Sequence, residues 1–117
     1  MIEGIWLPIE AELGGQNYPD EILKTMKLTM SDGRYTVYVG EKIDNGLIKL
    51  EPATNPKAID ITGTEGPNEG KTFLAIYELT GDTLQICYDL AGKERPTEFK
   101  TAKDSQQFLV SYKREEN

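Results

Sequence analysis

At 117 residues, with 38% hydrophobic and 28% charged side chains, the chain 1–117 reads as a single globular domain, able to bury one core but not two. A net charge of -7 repels the phosphate backbone of DNA or RNA, so nucleic acid is not an expected partner. There is no histidine and only one cysteine, Cys87. That excludes Ser-His-Asp and Cys-His catalysis, imidazole metal sites and an internal disulfide.

In chain order, the first apolar run spans residues 5–13, holds the only tryptophan, Trp6, and is interrupted by Pro8. A proline there removes one ladder hydrogen bond, so it either faces away from a neighbouring strand or marks a kink. Gly14-Gly15 opens a loop, and Pro19-Asp20-Glu21 followed by Ile22, Leu23 and Met26 on one helical face predicts a helix of one to two turns. Residues 27–30 and 35–39 flank Asp32-Gly33, a hairpin signal because the turn needs positive φ, and Asn45-Gly46 predicts a second such turn before 47–50. Further strands are predicted at 58–62, 71–79, 83–88 and 107–113, with an irregular one around 97–99 inside the polar segment 91–105.

Leaving that irregular piece aside, eight short strands joined mostly by tight turns predict an all-β fold, an eight-stranded antiparallel up-and-down β-barrel with one short helix after the first strand. At this strand number the interior is either filled by side chains or holds one small ligand. Phe73, Ala75, Tyr77 and Leu79 alternate with Leu74, Ile76 and Glu78, so both faces are partly apolar and the pattern leaves the inner face open.

Gly4-x-Trp6 on the first strand, the helix after it and a basic residue ending the last strand resemble lipocalins. A closer resemblance runs through Pro19-Asp20-Glu21-Ile22-Leu23-Lys24, Ile59-Asp60-Ile61-Thr62, Glu65 to Thr72, Ala75-Ile76-Tyr77-Glu78-Leu79 and Glu94-Arg95-Pro96-Thr97-Glu98-Phe99. On these the chain, from about Gly4 to Arg114, is similar to a planctomycete-type family of short lipocalin-like bacterial domains whose role is itself unknown. The resemblance implies a calycin-like barrel in which the tryptophan packs at the closed end beneath Lys113 or Arg114. It brings no activity or cofactor. Leu7-Pro8 departs from the family, which often has lysine after the tryptophan.

Several constellations carry a sharper and a plainer reading. Gly66-Pro67-Asn68-Glu69-Gly70-Lys71-Thr72 has three residues between its first glycine and Gly-Lys where a phosphate loop needs four, so it reads as a hairpin loop. Cys87, mid-strand, reads as a wall residue, as against a nucleophile activated by lysine. Glu10 and Glu12 read as solvated outer-face acids, whereas Asp60 and Glu78 interrupt apolar strands and are candidates for inward carboxylates needing a partner such as Arg95. Arg95-Pro96-Thr97-Glu98-Phe99 reads either as a strut or as a guanidinium bordering the cavity mouth. The strand tyrosines Tyr35, Tyr38, Tyr77, Tyr88 and Tyr112 suit a packed core and a pocket alike.

The resulting expectation is a barrel, not an enzyme, that binds a small, largely hydrophobic ligand inside, without a cofactor or metal. Trp6, Phe73, Tyr77, Ile86 and Tyr88 are the wall candidates, with Arg95 at one end. The alternative is a packed barrel docking a protein partner through the loops 63–70 and 91–105. No apolar run approaches the ~18 residues of a membrane span. With no signal-peptide pattern the chain reads as cytoplasmic, or as exported if a leader has been trimmed.

Overall fold

The computed structural model describes residues 2–115. In chain order the elements are β1 (Gly4–Leu13), β2 (Gln16–Asn17), α1 (Asp20–Leu23), β3 (Met26–Ser31), β4 (Arg34–Val39), β5 (Lys42–Glu51), β6 (Lys57–Glu65), β7 (Thr72–Thr80), β8 (Thr83–Asp89) and β9 (Gln107–Arg114). From β3 to β9 each strand pairs antiparallel with the next, and β1 pairs with both β3 and β9. The sheet therefore closes into an eight-stranded antiparallel barrel, and β2 is a two-residue addition to the end of β1. Closure satisfies the ladder groups that an open meander would leave at two edges. Among the described residues, no helix is long and apolar enough to cross a membrane.

The Asp32-Gly33 signal behaves as its chemistry requires: both residues have positive φ, 53° and 76°, between the paired Ser31 and Arg34. Asn45-Gly46 does not. It lies inside β5, and the chain turns from β4 into β5 earlier, at Gly40, whose φ is 63°. At Asn45-Gly46 the pairing with β6 shifts register, a β-bulge. Glycine is needed there for space: a Cβ at Gly46 would lie 2.1 Å from the Thr62 carbonyl oxygen and 2.4 Å from Cε2 of Tyr35. The expected irregular strand around 97–99 does not form either, and α1 is a single turn of four residues.

Pro8 is buried, and the β1–β9 ladder shifts register between Pro8 and Glu10. The bulge inverts the phase of β1. Trp6 and Pro8 face inward before it and Ala11 after it, which leaves Glu10 on the outside and Glu12 half-buried. The kink allowed for by the sequence is thus the means by which one strand keeps its apolar side chains inside despite the proline.

Register settles the two-faced strands. Ile61 opposes Phe73, Ile59 opposes Ala75, Ala75 opposes Tyr88 and Tyr77 opposes Ile86, and all of these face the interior core. Ala58, Ile76 and Cys87 are equally buried but lie on the opposite face, outside that core cluster. They are buried because residues 90–106 cross the outer surface as a strap. Arg95 Nη1 donates to the Ala75 carbonyl at 2.8 Å, Arg95 Nη2 meets Asp60 Oδ1 at 2.6 Å, and Cys87 Sγ lies 3.5 Å from the Lys100 carbonyl. Further along, Thr101 donates to Glu12 and accepts from the Gly15 N–H.

Asp89 starts the strap, accepting backbone N–H bonds from Ala91, Lys93 and Glu94 at 2.8–3.0 Å. Burial pushes its carboxyl pKa up, but these donors, with the nearby Lys93 charge, outweigh it and hold the group below the usual carboxylate value.

Candidate functional site

The two barrel ends differ. At the end formed by the start of β1 and the finish of β9, Trp6 is fully buried, its indole N–H donating to the Ile2 carbonyl at 2.8 Å. The Arg114 guanidinium stacks over the indole at 4.3 Å from the ring centroid and donates to the Glu3 carbonyl at 2.6 Å. Of the two late cations considered from the sequence, Arg114 covers the tryptophan and Lys113 points to solvent. Beside this plug is a hollow of about 560 Å³ bordered by Ile2, Gly33, Pro52, Lys57, Tyr77 and Leu79, most of them at strand ends and turns.

The opposite half of the barrel holds an apolar cavity of about 230 Å³ that is open on one side. Leu28, Met30, Val37 and Ile48 form one wall, and Ile59, Ile61, Phe73 and Ile86 the other. Toward the mouth stand Met26, Val39, Leu90 and an aromatic series, Tyr18 against Phe108 at 5.4 Å and Phe108 against Tyr88 at 5.8 Å. The β strands place these side chains by simple alternation, since each wall residue is two positions from the next along its strand.

Polar atoms are few and grouped. Tyr88 and Tyr112 hydroxyls lie 3.4 Å apart, and burial raises both phenols, Tyr112 to about 12 and Tyr88 well above the ordinary value. They are neutral donors at any physiological pH. Near the mouth, Asp44 on β5 points inward, and its Oδ2 accepts from Tyr35 OH at 3.2 Å and from Asn68 Nδ2 at 2.8 Å. Burial, then the Asp44 charge and its hydrogen bond, raise the Tyr35 phenol as well. Asp44 Oδ1 is buried and has no hydrogen-bond partner.

Glycines build this corner. Gly46 lets the Tyr35 ring cross β5 so that its hydroxyl reaches Asp44 two residues away. Gly63 and Gly66 let the β6–β7 loop fold down: a Cβ at Gly63 would meet the Asn68 carbonyl at 2.1 Å, and one at Gly66, where φ is 94°, the Ile43 carbonyl at 2.6 Å. The loop resembling a phosphate cradle is therefore a hairpin loop that brings Asn68 onto Asp44, with a strand and not a helix after it.

Of the residues selected from the sequence, Phe73, Ile86 and Tyr88 line the cavity. Trp6 plugs the far end, and Tyr77, though inward, borders the hollow beside that plug. Arg95 is on the outer face, bonded to Asp60, so it is the strut and not the border of the mouth. Asp60 and Glu78, the candidates for inward carboxylates, both lie on the outer face; Asp60 answers Arg95 and Glu78 is exposed to solvent. Among the described residues that line the cavity, the carboxylate is Asp44, which the sequence conceals because it directly precedes the Asn45-Gly46 turn signal. Within the single strand 42–51, Asp44, Gly46 and Ile48 fall on one face.

No protein-family model matches the chain, and neither a curated protein nor a solved structure matches it.

Proposed function

We propose that the chain is a lipocalin-like, non-enzymatic carrier or sensor that binds one small, largely apolar molecule inside the barrel. The observation that carries this reading is the 230 Å³ cavity on the mouth side of Ile59, walled by Leu, Ile, Val, Met and Phe side chains. Close-packed interiors rarely leave voids larger than a water molecule, whose share of liquid volume is ~30 Å³. A space several times that size, lined by apolar groups with a few convergent polar ones, is the usual form of a ligand site. It falls below the ~300 Å³ at which drug-sized pockets begin, which favours a compact ligand. The plug of buried Trp6 and Ile2, covered by Arg114, supports entry from the opposite end. A packed barrel that docks partners through its loops would have no need of this space.

Titration with the neutral fluorophore N-phenyl-1-naphthylamine tests the reading. Saturable one-to-one enhancement of its emission is expected, with a large loss in Val37→Phe, which fills the cavity from β4. Absence of saturation, or identical binding by that variant, would overturn it.

A further inference from the structure

Taking the interior as the binding site, we infer that its ligand is a small amphipathic amine, an apolar body carrying one ammonium group, held with the ammonium at Asp44. Among the described residues that line the cavity, Asp44 is the one with an ionisable carboxylate, and no lysine or arginine joins it. A fatty-acid or other anionic headgroup would have to lie against that carboxylate with no cation to receive it, which is repulsive and poorly screened in an apolar interior. An alcohol could donate to that carboxylate but brings no charge to answer it, whereas an ammonium brings the counter-charge.

Geometry adds to charge. Asp44 Oδ2 already accepts from Tyr35 and Asn68, so two donors fix the carboxylate, while Oδ1 has none. An ammonium is all donor and can bond a carboxylate and neutral oxygens together. Further acceptors of the right kind line the same cavity, the side-chain carbonyl of Asn68 and the hydroxyls of Tyr35, Tyr88 and Tyr112. Since a buried carboxylate oxygen without a donor is costly, the site is more complete with a cation than without one. The Asn68 loop, which closes over Asp44 through Gly66, is the element that would yield to admit the headgroup.

Three probes share one apolar body and differ only in headgroup: 4-phenylbutylamine, 4-phenylbutanol and 4-phenylbutanoate. Each competes against bound N-phenyl-1-naphthylamine at pH 7, on the whole chain and on Asp44→Asn. The amine is expected to displace the fluorophore at a concentration at least tenfold lower than the alcohol, and the carboxylate to be weakest. In Asp44→Asn the amine and alcohol should converge, with the alcohol changed by no more than about twofold. Equal competition by amine and alcohol on the unaltered chain overturns the inference and leaves the cavity reading standing, and needs no variant to fold. So does an amine preference that survives in Asp44→Asn. If the fluorophore itself fails to bind, the cavity reading falls and the inference with it.

Discussion

Gly46→Ala is the substitution that most directly joins the fold to the site. The added methyl would sit 2.1 Å from the Thr62 carbonyl oxygen and 2.4 Å from Tyr35 Cε2, whereas comfortable carbon contacts lie at ~3.5–4.0 Å. Each neighbour must therefore retreat by about 1 Å or more. Thr62 is held in the β5–β6 and β6–β7 ladders, and Tyr35 is a buried ring tethered through its hydroxyl to Asp44. Overpacking of this kind costs about 1–3 kcal/mol, and pulling the Tyr35 hydroxyl off a carboxylate adds about 1–2 kcal/mol. The sum, about 2–5 kcal/mol, is a large part of the ~6–18 kcal/mol expected for a domain of this size. It corresponds to a fall in Tm of roughly 8–20 °C. Thermal and urea unfolding followed by circular dichroism measure it, with Gly70→Ala as control. Gly70, unlike Gly46, has positive φ, 82°, and nothing within 4 Å of its Cβ position, so only backbone strain is added there. If Gly46→Ala is no less stable than Gly70→Ala, the account of the bulge as a seat for Tyr35 is wrong.

Arg95→Ala should lower stability by about 1–2 kcal/mol in urea unfolding, chiefly through the lost bond to the Ala75 carbonyl. The bridge to Asp60 is about a third exposed and adds less than its 2.6 Å length suggests. Fluorophore affinity should stay within about twofold, and a larger loss would return Arg95 to the binding site. Cys87 is wholly buried and burial raises its thiol pKa, so a water-soluble disulfide reagent should leave it unmodified in the folded chain at pH 8 and modify it fully in denaturant; rapid native labelling would contradict this. Asp89 has a folded pKa below its unfolded value, so its contribution is complete above about pH 4 and is lost as pH falls through the lowered folded value. Asp89→Asn should therefore be about 1–2 kcal/mol less stable near pH 7, with the gap closing under acid; a gap unchanged from neutral pH to about pH 2 would exclude the linkage.

The strand pattern was legible because apolar alternation and Gly-containing turns are local signals: Asp32-Gly33 carries its own φ requirement and needs no tertiary context. Asn45-Gly46 has the same local signature and a different cause, the ring of Tyr35 lying across it from the neighbouring strand, which no local rule detects. That one misplacement concealed Asp44. The inner face of β7 and β8 was illegible for a related reason. Ile76 and Cys87 are apolar because a strap from residues 90–106 covers them, so two dry faces produced a pattern without contrast. Asp60 stands out in the sequence as a carboxylate in an apolar strand, but its partner Arg95 approaches from outside. The cavity residues Phe73, Ile86 and Tyr88 were found through aromatic and aliphatic content alone. Which of the inward residues border the cavity and which the plug depends on position along the barrel axis, which alternation does not encode.

The seam where β9 returns to β1 joins Trp6 to Arg114 and Leu13 to Phe108. These are among the most distant partners in the chain, so they can meet only after the intervening hairpins have drawn the ends together, and entropy of closure is charged before any of their contacts repays it. A topology of this kind folds on the scale of roughly milliseconds to seconds, and the seam forms late. Until it does, β1 and β9 are both open edges, and Leu7 and Ile9 on β1 are exposed even in the finished barrel. The bulge at Pro8–Glu10 then has a second effect: an unfinished edge carrying a proline and an irregular register is a poor template for another chain, which limits edge-to-edge pairing during assembly.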